Sequence, residues 1–136
     1  MGTAENKRLL EHIYVEISKG NLEPLLASLA DDIVWTIIGT TPLSGTRRGK
    51  QEVIDHIVRP LGEALDGHVQ FTFEPFIAED DYVVLRAHGR GMAKSGRPYN
   101  NTYCIISQIR DGKIHAMTDY VDTELIRWAL FSAPAG

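Results

Sequence analysis

Apolar positions along this chain keep a helical rhythm over the first third and a strand rhythm over most of the rest. Between residues 4 and 19, Leu9, Leu10, Ile13 and Ile17 share one stripe while Glu5, Lys7, Glu11, Glu16 and Lys19 fall largely elsewhere, which predicts an amphipathic helix closed by Gly20. Asn21 is placed to cap a shorter second helix, with Pro24 in its first turn and Leu22, Leu25, Leu26 and Leu29 on its buried face. DDIVWTII then reads as a strand bounded by Gly39, and TTPLSGTRRG as a turn-rich stretch. A third helix is predicted over residues 50–65 from Val53, Ile54, Ile57, Val58 and Leu61. Pro60 should kink or interrupt it near Val58 or Arg59, because proline has no N–H for the ladder.

After Gly67 the period changes to two. HVQFTFEPFI sets Val69, Phe71 and Phe73 against Gln70, Thr72 and Glu74, the alternation of a half-buried strand. Three more strands are predicted at about 82–93, 99–110 and 113–121, joined by SGRP and by Asp111-Gly112, both hairpin signals. A last helix from Asp122 to about Phe131 closes the chain. Helices first and a meandering sheet after it predict one α+β domain over residues 1–136, its helices gathered on one face of the sheet.

Composition narrows the function classes. A chain of 136 residues, 43% hydrophobic and 24% charged, suits a single domain that buries roughly two-thirds of its unfolded surface. A net charge of -4 argues against a nucleic-acid surface, and RRGK at 47–50 is the only dense basic run. No apolar run approaches the roughly 18 residues of a membrane span, and the N-terminus reads as a helix at once, so a cytoplasmic protein is expected. Cys104 has no disulfide partner and reads as a small buried hydrophobe. His12, His56, His68, His88 and His115 are scattered, so no metal and no organic cofactor are expected.

The order of elements, with DDIVW after the second helix, LSGTRRGKQEVIDHI leading into the third, SGRPYNNTYCIISQIRDGKI across a hairpin and DYVDTEL near the end, resembles SnoaL-like and ketosteroid-isomerase-like members of the nuclear-transport-factor-2-like superfamily. The resemblance spans nearly the whole chain. It implies a strongly curved sheet wrapped around helices into a cone, with an apolar pocket for a small organic molecule and pairing into homodimers through the sheet. The fold hosts isomerases, cyclases, hydrolases and plain binding proteins, so chemistry must be argued from side chains.

Asp119 in MTDYVD matches a catalytic carboxylate of limonene-epoxide-hydrolase-like relatives, where it works with a second Asp and an Arg. Here the matching Arg-x-Asp is Arg86-Ala87-His88, which would replace one acid by an imidazole acting as base. Two other readings stay open: a buried ion pair between Arg86 and Asp119, or a solvated strand face carrying Arg86, His88 and Arg90. The acids of the steroid isomerases and polyketide cyclases are missing, since Thr36 and Ile105 to Ser107 stand at their places. By resemblance Tyr14 presents a hydroxyl to a ligand carbonyl, and Asn101 and Tyr103 point inward while Tyr99 lies nearer the mouth or the dimer surface. Trp35, Ile37 and Phe73 lie on strand faces that read as plain core or as pocket wall, and Trp128 on the last helix reads as a lid or as packing on the sheet. Asp122, directly before TELIRWALF, reads as a helix cap. The expected activity is therefore acid–base chemistry on a small, mostly apolar molecule, with a non-catalytic carrier of the same fold as the alternative.

Overall fold

A computed structural model describes residues 2–135. The elements are α1 (Thr3–Ser18), α2 (Glu23–Ser28), β1 (Leu29–Ile37), β2 (Gly45–Arg48), α3 (Lys50–Val53), a π-helical turn (Ile54–Val58), α4 (Arg59–Ala64), β3 (Gln70–Phe73), β4 (Ile77–Glu79), β5 (Tyr82–Arg90), β6 (Thr102–Arg110), β7 (Lys113–Val121) and α5 (Thr123–Leu130). The sheet runs β2-β1-β7-β6-β5-β3, with β4 also paired to β5. All pairings are antiparallel except β1 with β7, so the strand nearest the N-terminus lies beside the strand nearest the C-terminus. That one parallel pairing brings Trp35 and Ile37 opposite Met117 and Asp119.

Helix ends follow the sequence closely. Gly20 takes φ +85°, a left-handed conformation that costs glycine little, and lets the Asn21 N–H reach the Glu16 carbonyl at 2.9 Å to finish α1. Asn21 Oδ1 accepts the Glu23 N–H at 3.1 Å, the anticipated cap of α2. The Asp122 carboxylate accepts the Leu125 N–H at 3.1 Å and caps α5. The irregularity expected before Pro60 is a π turn ending at Val58: α3, the π turn and α4 follow one another without a gap, and the residues at both joints keep right-handed helical angles. The wider turn falls immediately before the proline, where the regular ladder would lack a donor.

Two short strands lie outside the predicted set. β2 comes from the stretch read as turns, and HVQFTFEPFI divides into β3 and β4 because Pro75 cannot donate to a ladder. The strand expected at 99–110 begins only at Thr102. One face of the sheet packs on the helices. Leu10 and Ile13 of α1 meet Ile33 of β1, Leu85 of β5, Ile105 and Ile109 of β6, and Ile114 and Met117 of β7, all at most 2% exposed. The far end of this same face is not filled by side chains, and there the cavity opens.

Candidate active site

A cavity of about 310 Å³ lies between the inner face of the sheet and the helices. Its walls are mostly aliphatic and aromatic: Ile17, Leu25, Ile37, Leu43, Ile57, Val58, Leu61, Val69, Phe71, Ile105 and Ile126 among them. Few polar side chains reach it, and they are Tyr14, Trp35, His68, Tyr99, Tyr103 and Asp119. A concave apolar space with a small number of convergent polar groups is the usual form of a small-molecule site.

Strand parity places the acid. On β7 the inward positions are Met117 and Asp119, while Tyr120 between Asp119 and Val121 is 46% exposed on the other face. Asp119 is only 9% exposed. Its Oδ1 accepts the indole N–H of Trp35 at 3.2 Å, a contact that follows from the parallel register of β1 and β7. Burial disfavours the carboxylate, the Trp35 bond offsets this in part, and the Asp119 pKa is pushed up to about 7. Among the described residues no cation pairs with it.

Three phenols accompany this carboxyl. Among the described residues the Tyr14 hydroxyl has only the Met117 thioether as partner, at 4.0 Å, and its ring meets Phe71 edge-on at 5.3 Å. Tyr103 packs on the other side of Phe71, with centroids 5.2 Å apart. Gly89 on β5 makes room for it, since a methyl group there would lie 2.9 Å from Tyr103 Cε1 and 2.8 Å from Val69 Cγ1. Burial raises the pKa of Tyr14 and of Tyr103 well above the usual phenol value, with the nearby Asp119 adding to both, so the hydroxyls stay protonated donors. Tyr99 is 3% exposed and lines the cavity rather than its mouth.

Arg86 and His88 do not join Asp119. On β5 the buried positions are Val83, Leu85, Ala87 and Gly89, so Arg86 and His88 project from the opposite face of the sheet. There Arg86 lies 3.6 Å from Glu74 and donates to the Pro75 carbonyl at 3.2 Å, and His88 lies 4.0 Å from the same glutamate. The Arg86–His88–Asp119 constellation and the epoxide-hydrolase variant built on it are therefore not assembled. Cys104, paired in register with both Arg86 and Tyr120, also sits half-buried on that outer side.

Tyr14, Trp35, Ile37 and Tyr103 take the wall positions expected of them, and three others do not. Phe73 lies behind the wall, its ring 6.5 Å from Phe71 and 5.6 Å from Phe76. Asn101 is a staple: its Oδ1 accepts the N–H groups of Thr102 and Asp122, and its Nδ2 donates to the Asp122 carbonyl and to the Tyr99 hydroxyl. Trp128 is 46% exposed because the buried stripe of α5 runs through Ile126 and Ala129; Arg97 lies over its ring at 5.2 Å. Ile126 faces the cavity instead. His68 and Leu43 were missed as wall residues, although a lone leucine in the polar TTPLSGT loop is a signal of a buried anchor. Among the described residues no group of three or more His, Cys, Asp or Glu side chains converges as a metal site, and no helix is long and apolar enough to cross a membrane.

Comparison with known proteins agrees with this geometry. An uncharacterised protein of Mycobacterium tuberculosis is 23% identical over 115 residues, covering 82% of this chain and 85% of that protein. An NTF2-like protein of unknown function from Burkholderia pseudomallei superposes with a TM-score of 0.83 at 22% identity, over 97% of this chain and all of the other. A Jannaschia protein assigned as a SnoaL-like polyketide cyclase gives 0.79 at 15% identity, over 97% and 95% of the two chains. The sequence model of the SnoaL-like domain matches residues 10–117, the span from α1 to the middle of β7 that builds most of the cavity, and the chain belongs to this SnoaL-like family of the NTF2-like fold.

Proposed function

We propose that the protein is an acid–base enzyme that moves a proton on a small, mostly apolar organic molecule, an isomerase or cyclase in type, with Asp119 as the proton carrier. The observation that carries this reading is the solitary carboxyl in an apolar cavity, held near pH 7 by burial and oriented by Trp35. A group whose pKa lies near the working pH is present in both protonation states and exchanges a proton with least driving-force penalty. In its ionised form Asp119 takes a proton from a carbon next to a carbonyl and becomes the neutral acid that its surroundings favour. The developing enolate oxygen takes hydrogen bonds from the phenols, which stay protonated. Asp119 then returns the proton to the same carbon or to the far end of a conjugated enolate; alternatively the enolate carbon adds to a second carbonyl of the same molecule, whose C=O π bond opens, and Asp119 gives its proton to the new alkoxide. The polyketide cyclase assignment of the Jannaschia relative is compatible with the second outcome.

The cavity is large enough for a two-ring molecule, so 2-tetralone is a suitable probe. The wild-type protein should accelerate exchange of its α-hydrogens with deuterated water, followed by proton NMR, and Asp119→Asn should reduce that acceleration by on the order of 10²–10⁴. An Asp119→Asn variant that exchanges as fast as wild type contradicts the role of Asp119. A folded wild-type protein that binds the ketone without accelerating exchange supports the carrier reading instead. For assembly, we propose a homodimer through the outer face of β5, β6 and β7, where Val84, Ile106 and Thr118 are partly covered and Tyr82 and Tyr120 are 47% and 46% exposed. Light scattering tests it directly: the reading predicts a mass near 30 kDa, twice the 15.2 kDa chain, and Tyr120→Glu should shift the protein toward a monomer.

A further inference from the structure

We infer that Tyr99 is the donor that receives the ligand oxygen, and that Asn101 is the positioning residue that aims it. The inference rests on the acid–base reading of the same cavity and concerns which phenol completes it. The amide of Asn101 is 1% exposed and has every polar position used. Its Oδ1 accepts two backbone N–H groups, from Thr102 at 2.7 Å and Asp122 at 3.0 Å, and this fixes which side of the amide carries nitrogen. Nδ2 has two protons, and they go to the Asp122 carbonyl at 3.2 Å and to the Tyr99 oxygen at 3.1 Å. Tyr99 is thus an acceptor toward Asn101, so its own proton must point elsewhere. Among the described residues the one protein group beside that proton is the Tyr103 hydroxyl, which lowers the Tyr99 pKa and so acts toward it as a donor rather than an acceptor.

The remaining direction is the cavity that Tyr99 lines, on the side where Asp119 also lies. A hydroxyl whose oxygen already accepts a hydrogen bond is a stronger donor through its own proton, because successive bonds polarise one another. Tyr14 has no such support among the described residues, where its one partner is the Met117 sulfur at 4.0 Å. Asn101 and the neighbouring Tyr103 hydroxyl both pull the Tyr99 pKa down against the larger rise caused by burial, whereas Tyr14 and Tyr103 stand well above the phenol range. The ligand class follows: an apolar ring system with one carbonyl or phenolic oxygen, entering oxygen-first so that this atom meets Tyr99 while a neighbouring carbon meets Asp119.

The probe is 2-naphthol, an apolar two-ring molecule with one oxygen, titrated by its fluorescence at pH 6 against wild type, Tyr99→Phe, Tyr14→Phe and Asn101→Asp. Tyr99→Phe should bind at least fivefold more weakly than wild type, and Tyr14→Phe less than threefold. A Tyr99→Phe loss under fivefold overturns the assignment of Tyr99. A folded wild-type protein that does not bind 2-naphthol overturns the cavity reading itself, so the two failures are distinguishable. Asn101→Asp keeps an oxygen for Thr102 and Asp122 but removes the donor to Tyr99. In protein labelled at the tyrosine ζ carbons, Tyr99 should titrate at the lowest pH of the three cavity phenols, and Asn101→Asp should move that midpoint upward while Tyr14 stays in place. An unchanged Tyr99 midpoint in Asn101→Asp, whatever happens to stability, overturns the positioning role.

Discussion

β5 and β7 flank β6 in one sheet and carry their charged side chains to opposite sides. β5 buries Val83, Leu85 and Ala87 and turns Arg86 and His88 outward to Glu74. β7 turns Tyr120 outward and buries Asp119. The charge on β5 is cheaper, because solvent still reaches side chains that are 39% and 60% exposed even though Arg86 Nε is buried without a partner among the described residues. The charge on β7 is expensive, because one indole N–H is all that opposes its burial. A costly polar group in an apolar hollow is where chemistry is to be sought, and the inexpensive arginine and histidine two strands away are surface.

The sharpest way to break this contrast is to hollow the face that β5 buries. Leu85→Ala, at a position that is fully buried, should lower stability by about 2–5 kcal/mol in urea unfolding. A loss near zero would mean that β5 does not bury this face.

The next effect belongs to β7 and depends on pH. The folded pKa of Asp119, about 7, lies above its ordinary value of 3.8, so the fold prefers the protonated form. Stability from this group is fully present below about pH 4 and is lost as pH rises through about 7. Wild type should therefore weaken by on the order of 2–4 kcal/mol between pH 4 and pH 8 relative to Asp119→Asn, which has no proton to lose. Parallel stability curves for the two proteins over that range would remove the buried acid from the account.

Smaller effects sharpen the comparison at its edges. Asp122→Ala, three residues from the buried acid, loses a helix cap and should cost about 1 kcal/mol with no change in the titration of Asp119. The double variant Arg86→Ala, His88→Ala should change stability by less than about 1 kcal/mol, and should leave the deuterium exchange of 2-tetralone untouched. A large loss of exchange in the double variant would return β5 to the site.

Helix positions and the α+β order were legible because α1 keeps one helical stripe and Val69, Phe71 and Phe73 alternate along the strand after Gly67, and because Gly20, Asn21 and Asp122 act locally, through bonds to residues two to five positions away. Trp35 was legible through its alternation with Ile37, and Tyr103 as inward through the resemblance. Arg86 and His88 were misplaced although Leu85 and Ala87, apolar on either side of Arg86, indicated the true parity. The motif resemblance pointed the other way, and a resemblance carries no information about which face a strand shows. Asn101 was legible as inward but not as a staple, since its partner Asp122 lies 21 residues away and only the β6–β7 pairing brings the two together. The pairing of Trp35 with Asp119 is less legible still, because it requires the parallel β1–β7 contact across 84 residues.

The central claim is that Asp119 is a buried, solitary acid poised near neutral pH. Carbon-13 NMR of the aspartate side-chain carboxyl carbons, with Asp119→Asn used to assign the resonance, measures this without any ligand. The account predicts a single titration for Asp119 with its midpoint near pH 7, and a midpoint near pH 4 would contradict it.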